Sequence, residues 1–485
     1  MKYISTRTKN SEKQNSAYVI KRGLAPDGGL YVPEEIPALT QGDIESLAKM
    51  TYPERAEYIL SLFLDDYTRE ELKNAAEGAY STEKFGGVAA PISKVADKYF
   101  LELWHGPTSA FKDMALQIMP RLLSLSLGKT GEEKDAYILV ATSGDTGKAA
   151  LEGYCDIDRV KIKVFYPVDG VSNIQKKQMA SQKGSNVDVV SIKGNFDDAQ
   201  SGVKKIFADE SAKEMLAENG YFFSSANSIN WGRLAPQIVY YVSAYCDLLA
   251  EGELNYGDLL DITVPTGNFG NILAAYIAKK MGLPLGKLVC ASNCNDILTD
   301  FINTGVYDKR REFFTTVSPS MDILISSNLE RLLYFTAGAE KTKECMDKLA
   351  SEGIYNLDSH VMDEIRKDFA GYACSEEETK ATIYEFFKKY GYLCDTHTAV
   401  AANAALKFEK ESQNKMLVVS TASPYKFAPA VLSALGEEVP SDDFDALEKL
   451  NAVTKVAIPE NLANLRSAEV RFTKVINPDE MINTL

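Results

Sequence analysis

Residues 104–113, W-H-G-P-T-S-A-F-K-D, place one lysine, Lys112, at the entrance to an apolar helical segment. Behind it Met114, Ala115, Ile118, Met119, Leu122 and Leu123 recur at helical spacing. Thr108 or Ser109 is the candidate N-cap. A lysine in that position is held by its backbone, partly desolvated and close to the positive end of a helix dipole. Both effects disfavour the ammonium. A neutral amine is what a lysine needs to form a Schiff base with a carbonyl compound. The competing reading is a surface lysine paired with Asp113 or with an acid one turn away, because most lysines are solvated.

Two strand–loop–helix junctions bear on that choice, since ligands of open α/β sheets gather at the carboxyl ends of strands. At 141–148, A-T-S-G-D-T-G-K resembles a phosphate loop. Thr142 stands where its first glycine should be and Ala149 follows the lysine, which argues against a nucleotide triphosphatase. What remains is Thr142, Ser143, Asp145 and Thr146 among backbone amides at a helix start, suited to a carboxylate or phosphate. A plain turn with Asp145 or Thr146 as N-cap is the other reading. At 265–271, P-T-G-N-F-G-N, Gly267 and Gly270 let the backbone form a concavity of amides, to which Asn268 and Asn271 add donors. The Gly-Asn-Phe triplet recurs at 194–196, but there Asp197 and Asp198 follow and would repel a phosphate. The acid-free copy is the phosphate candidate. Thr421, in S-T-A-S-P-Y-K-F (420–427), projects from a strand end. Its hydroxyl can meet a ring nitrogen or simply end the strand in a turn before Pro424.

The elements that must position these residues read as alternating strands and helices. Apolar runs at 136–141, 160–166 and 187–192 are strands, with helices from about 148, over 173–183 and over 197–208. The pattern resumes with strands at 260–264, 288–291 and 416–420 and a helix over 271–281, while acid-rich helical segments fill 340–390. Strands separated by helices imply mostly parallel sheets, and 485 residues exceed one ordinary core. Two open α/β domains with a cleft between them are the economical architecture. An N-terminal region with amphipathic helical stretches around 42–78 precedes them.

The formal net charge of −15, from 68 acids against 53 bases, argues against nucleic acid and acidic membranes as partners. Seven scattered cysteines and the three histidines, His105, His360 and His397, offer no metal cluster. Residues 1–10 lack the apolar core of a signal peptide, and no apolar run approaches the roughly 20 residues of a membrane span. A cytoplasmic protein is expected, acting on a small molecule as a monomer or homodimer.

A Schiff-base lysine, a separate phosphate cup and a strand-end hydroxyl are the parts a pyridoxal phosphate site requires. The chain resembles the threonine synthases of the enterobacterial and fungal branch, within the fold type II pyridoxal phosphate enzymes. H-G-P-T-S-A-F-K-D matches the family's H-G-P-T-x-A-F-K-D, whose lysine carries the cofactor. A-T-S-G-D-T-G, S-A-N-S-I-N (225–230) with Arg233, P-T-G-N-F-G-N and the N-terminal G-L-A-P-D-G-G-L-Y-V-P (23–33) match further family blocks. The expected division is an N-terminal region over 1–97, a smaller α/β domain over 98–245 with the lysine, and a larger one over 246–485 with the phosphate loop.

Carried over by residue, the resemblance gives Lys112 the Schiff base with pyridoxal 5′-phosphate. Gly267, Asn268, Phe269, Gly270 and Asn271 would hold the cofactor phosphate, and Thr421 would face the pyridine nitrogen. Thr142, Ser143, Asp145 and Thr146, with Arg233, would bind substrate anions. The implied activity is a lyase that converts O-phospho-L-homoserine and water to L-threonine and phosphate, the last step of threonine biosynthesis. Ser423 stands where relatives often have His after the Thr-Ala pair, so position 423 carries no assigned role. His397, in D-T-H-T-A-V, is read as a structural residue at a helix start.

Overall fold

The computed structural model describes residues 1–9, 11–142 and 144–485. Its centre is a six-stranded sheet in the order Phe369–Ala373, Leu285–Ser292, Leu260–Pro265, Lys415–Ser420, Lys98–Glu102, Ile92–Val95. The first five strands run parallel and the last is antiparallel to its neighbour. The run M-L-V-V at 416–419 shows why such strands are apolar throughout. Met416 and Val418 pack with Val400, Ala401 and Ala404 of the helix Thr396–Phe408. Leu417 and Val419 belong to the large core on the other face, as do Ile272, Leu273 and Ile277 of the helix Gly270–Lys280. Both faces are covered, as in other parallel sheets.

A second sheet of five parallel strands has the order Val475–Ile476, Val187–Ile192, Val160–Pro167, Asp135–Ala141, Tyr221–Ser224. The two sheets aim the loops of interest. The chain leaves Leu260–Pro265, Lys415–Ser420 and Lys98–Glu102 at the carboxyl ends of three adjacent parallel strands, with Val418 opposite Thr263 and Ser420 opposite Glu102. In the second sheet the loops after Asp135–Ala141 and Tyr221–Ser224 are likewise neighbours.

Sheet membership does not follow the expected division at 97/98 and 245/246. Lys98–Glu102, which leads to Lys112, lies in the larger sheet, and Val475–Ile476 from the far end of the chain joins the smaller one. Parallel pairing recruits strands across long sequence separations, so a linear cut cannot reproduce it. Within the segment expected to be helical at 340–390, Phe369–Ala373 is the outer parallel strand of the larger sheet. The helix expected from about 148 starts at Asp145, and the one expected to reach 183 ends at Ala180.

The N-terminal region packs its helices Gln41–Leu47 and Tyr52–Phe63 onto the helix Trp231–Ala250. Trp231 is fully buried between the rings of Tyr3 and Phe63, at centroid distances of 5.4 and 5.7 Å. Tilted pairs of this kind contribute about 0.5–1.5 kcal/mol each beyond their buried area. Arg55 reaches the same helix, donating to Ser243 Oγ at 2.7 Å and to Asp247 at 2.5 Å. The opening region is therefore fixed to the helix that begins two residues before Arg233.

Candidate active site

Lys112 opens a short helix, Lys112–Leu116, after the end of the strand Lys98–Glu102. The residues before it are tied to the loop that follows the neighbouring strand. Ala110 forms an antiparallel bridge with Ala422, the Phe111 amide donates to the Thr421 carbonyl at 2.8 Å, and the Ser423 amide donates to the Ser109 carbonyl at 3.1 Å. Ser109 takes φ +59°, an uncommon conformation for a residue with a side chain. These ties and the turn closed by the Ser109 amide on the Gly106 carbonyl delay the helix to Lys112, so neither Thr108 nor Ser109 caps it, and Phe111 stands at its start with no side-chain cap. The capping runs the other way: Asp113, fully buried, accepts from the Thr108 amide and hydroxyl at 2.7 Å each. Burial pushes the Asp113 carboxyl up to about 6.

Because Asp113 is occupied, it is not the partner of Lys112. The Lys112 amine instead donates to Ser320 Oγ at 3.2 Å. Burial is the largest effect on it and, with the nearby charges of Arg233 and Lys426, outweighs the attraction of Asp145 and brings the ammonium down to about 8. Ser320 sits in the 3-10 turn Pro319–Met321, and its amide donates to His397 Nε2 at 3.1 Å. The other ring nitrogen of His397, Nδ1, lies 2.7 Å from the buried Asp395 carboxylate. Asp395 is the N-cap of Thr396–Phe408 and accepts from the His397 and Thr398 amides. His397 is thus the helix-start residue the sequence suggested, and it also fixes the group that Lys112 touches. Since Nε2 accepts an amide, the proton belongs on Nδ1.

The glycine-rich loop after Leu260–Pro265 lies against the same turn. A Cβ added to Gly267 would sit 2.6 Å from the Ser320 carbonyl oxygen, so only glycine permits this approach. Phe269 has φ +62° and starts the helix Gly270–Lys280 without a side-chain cap. Among the described residues, the amides of Gly267, Asn268, Phe269 and Gly270 donate to no protein acceptor. The loop carbonyls, by contrast, are held from outside: Asn328 donates its amide and its Nδ2 to the Asn268 carbonyl, and Ser326 Oγ donates to the Gly267 carbonyl. Asn271 Oδ1 accepts from Tyr241 OH at 2.6 Å, which leaves its Nδ2 buried with no acceptor. Four free amides and one orphaned amide nitrogen at a helix start form a cup for an anion.

Thr421 is 5% exposed at the end of Lys415–Ser420; its amide donates to Thr398 Oγ1 at 3.3 Å and its carbonyl holds Phe111. Ser423 caps the next turn, accepting from the Tyr425 amide at 3.3 Å.

From the second sheet, Thr142 accepts the amides of Gly144 and Gly147 on its hydroxyl at 3.0 and 2.9 Å, so it shapes the start of Asp145–Tyr154. Ser143 lies outside the described residues. Thr146 is half-buried at the same helix start. Asp145 does not act as N-cap. Its carboxylate accepts from Gln175 at 2.8 Å and pairs with Lys426 at 2.6 Å. Burial alone would raise the Asp145 carboxyl, but the charges of Lys426 and then Lys112 hold it well below the usual range. Lys426 Nζ also donates to the Thr108 carbonyl at 3.0 Å, so it joins the lysine loop to the loop from the other sheet.

Arg233 lies in the first turn of Trp231–Ala250, 7% exposed, with Nη1 on the Ala226 carbonyl at 2.7 Å. No acid pairs with it among the described residues, and burial brings its guanidinium down to about 10. A buried cation without an acid is costly unless an anion arrives. Arg233, Gln237 and Tyr241 follow at intervals of four, one face of the same helix. Gln237 Nε2 returns to the Arg233 carbonyl at 2.9 Å, and Tyr241 supports Asn271.

The fold therefore links Lys112, Thr421 and Asp145 through connected hydrogen bonds and packs the 267–271 loop against the Ser320 turn that Lys112 touches. Ser320, Asn328, Tyr241 and Lys426 belong to the same arrangement and carry no spacing signature. Lys426 alone had a signal, standing inside the strand-end motif S-T-A-S-P-Y-K-F.

Three family profiles match the chain: "Threonine synthase N terminus" over residues 2–80, "Pyridoxal-phosphate dependent enzyme" over 92–423 and "Threonine synthase, C-terminal" over 398–484. Threonine synthase-like 1 of Homo sapiens is 41% identical over 454 residues, covering 89% of this chain and 60% of that protein. The chain thus spans about 60% of the length of these relatives. Threonine synthase of Pseudomonas aeruginosa is 38% identical over 480 residues, 98% of this chain and 96% of that one. The crystal structure of pyridoxal-phosphate-bound threonine synthase from Brucella melitensis superposes with a TM-score of 0.88 at 37% identity, covering 99% of this chain and 97% of that one. From profiles that run almost end to end, a relative matched over nearly its full length and a shared fold it follows that the chain belongs to the threonine synthase family of pyridoxal-phosphate-dependent enzymes.

Proposed function

We propose that this chain is a threonine synthase, converting O-phospho-L-homoserine and water to L-threonine and phosphate with pyridoxal phosphate held on Lys112. The observation that carries the reading is a lysine amine, brought down to about 8 chiefly by burial, connected through Ser320 to an acid-free cup of free amides. The residues present fit the cofactor. Asn271 Nδ2 and the unpaired amides of 267–270 supply the donors its phosphate needs, and Lys112 supplies the amine. Bound there, pyridoxal phosphate supplies an electron sink conjugated to the amino group of the substrate.

The chain's own groups then have separate tasks. Lys112 Nζ would hold the cofactor and, when free, would take the proton from the substrate α-carbon and return one at the end. A single base with a value near neutrality suits both transfers. Thr421 would offer the ring nitrogen a hydroxyl, which does not enforce a charged ring as a carboxylate would. Arg233, a buried cation with no acid, is matched to an anionic group of the substrate. Thr142 and Thr146 would approach the substrate from the start of Asp145–Tyr154, and Asp145 would position Lys426 instead of meeting an anion. For the balance a β-proton also leaves as phosphate leaves the γ-carbon, the γ-carbon gains a proton to become the methyl group, and water adds at the β-carbon with its second proton released.

The wider setting belongs to the same proposal: a cytoplasmic enzyme of amino-acid biosynthesis, monomeric or homodimeric, with no nucleic-acid or membrane partner. No helix among the described residues is long and apolar enough to cross a membrane. Incubation of the cofactor-loaded protein with O-phospho-L-homoserine tests the reading. Equal amounts of threonine and phosphate are expected. Release of 2-ketobutyrate as the main product, or binding without turnover, would overturn it.

A further inference from the structure

The junction between the N-terminal region and the helices after Lys112 holds donors without acceptors. Lys84, on the short helix Thr82–Phe85, donates to Gln117 Oε1 at 2.9 Å. That bond fixes which way the amide points and leaves Gln117 Nε2 facing no acceptor, although Gln117 is 1% exposed. One helical turn further on, Arg121 Nε is also buried without a partner, and the guanidinium makes no hydrogen bond among the described residues. Gly78 makes room for it. A Cβ there would lie 2.8 Å from Arg121 Nη1 and 2.9 Å from Cζ. Glycine inside the helix Arg69–Ala79 costs helix stability relative to alanine, and the flat approach of Arg121 is what that cost accommodates.

The nearby acids are committed elsewhere. Glu152 is bonded to Lys148 at 3.0 Å and Asp113 is taken by Thr108, and neither pairs with Lys84 or Arg121. Burial, then the Arg121 charge, hold the Lys84 ammonium below its ordinary value, and burial does the same to Arg121. Both side chains remain partly exposed, so a solute can reach them.

We infer that Lys84, Gln117 and Arg121 form a second anion site, separate from the Lys112 cleft, that takes a small oxyanion: phosphate or a phosphate monoester. An oxyanion offers acceptors to the ammonium, the orphaned amide and the guanidinium together, and charge-assisted bonds of this kind are the strong ones. The site lies on the N-terminal-region side of the helix that begins with Lys112. Gln117 closes that helix, its amide donating to the Asp113 carbonyl at 2.8 Å, so a bound anion would clamp the opening region to the segment carrying the reactive lysine.

Crystals of the cofactor-loaded protein soaked in tungstate, a phosphate-shaped anion with a strong anomalous signal, test the placement. A peak bridging Lys84 Nζ and the Arg121 guanidinium is expected. In solution, inorganic phosphate and glycerol 3-phosphate are titrated separately, following the thermal unfolding midpoint. Lys84→Gln combined with Arg121→Gln is expected to weaken this component at least tenfold while leaving the visible absorbance of the cofactor unchanged. Tighter binding of glycerol 3-phosphate identifies a phosphorylated metabolite as the ligand, and the reverse order identifies free phosphate. Oxyanion density confined to the Arg233 side with only a water at Gln117, or phosphate affinity indifferent to the double substitution, overturns the inference. Should the double variant fail to fold, the tungstate map of the unaltered chain decides.

Discussion

The amide of Phe111 donates to the carbonyl of Thr421 at 2.8 Å, which locks the residue before Lys112 to the end of the adjacent strand. Because the bond is between backbones, changing the Thr421 side chain leaves the lysine in place. Thr421→Ala is therefore expected to keep its cofactor and its stability to within about 1 kcal/mol, while kcat falls about tenfold, the worth of one hydrogen bond to the ring. Cofactor content and kcat measured side by side check this. Loss of the cofactor itself would contradict the assignment.

Ser320 and His397 give a second prediction. His397→Ala removes the acceptor of the Ser320 amide and leaves a part-buried donor unpaired, at a cost of about 1–3 kcal/mol. The Lys112 amine then loses a fixed partner, so kcat should fall roughly tenfold with KM little changed, because proton transfer depends on this geometry. His397→Gln, whose side-chain carbonyl can still accept, should restore part of the loss. Denaturant unfolding and steady-state kinetics on the two variants separate the structural effect from the positioning one.

Much of this arrangement is legible in the sequence. The strands at 160–166 and 187–192 are short apolar runs between helical segments, and the structure has them at Val160–Pro167 and Val187–Ile192. Phe369–Ala373 was hidden because F-A-G-Y-A carries small residues of weak strand preference and lies between acid-rich helices. Lys98–Glu102 was hidden by its charged ends, yet Lys98 is buried and paired with Asp97 at 3.0 Å and with Glu409 at 2.5 Å. In the site, Lys112 and the 267–271 loop announced themselves through glycines and a helix start. Ser320 did not, and Lys426 showed only its place in the strand-end motif, because their roles come from long-range packing: Lys426 pairs with a residue 281 positions away. The cap roles expected of Thr108 and Asp145 failed because other partners hold both side chains: the Thr108 hydroxyl donates to Asp113, five residues on, and Asp145 pairs with the distant Lys426.

The Lys426–Asp145 pair should make the protein sensitive to acid. Asp145 has a folded-state value held below the unfolded one, chiefly by the Lys426 charge acting against burial. Its contribution to stability is fully present above the unfolded value of about 3.9 and is lost as pH falls toward the folded value. Lys426→Met leaves a buried carboxylate unpaired, and the expected loss is about 3–5 kcal/mol at neutral pH. Urea unfolding from pH 7 to pH 3 should show a smaller pH dependence in the variant than in the unaltered protein.

Lys112 makes a prediction of opposite sign. Its ammonium is brought down to about 8 by burial first, so roughly one amine in ten is neutral at pH 7, far more than for a free lysine. Uptake of pyridoxal phosphate by the cofactor-free protein should accelerate as pH rises from 6 and level off above about 8. A rate that keeps climbing toward pH 10.5 would mean that the lysine is not desolvated.

The most direct measurement is borohydride reduction of the cofactor-loaded protein followed by peptide mass spectrometry. The phosphopyridoxyl group is expected on the peptide containing Lys112, and Lys112→Ala should lose both the adduct and the visible absorbance. An adduct on any other lysine, or a Lys112→Ala protein that keeps the reducible chromophore, would contradict the central claim.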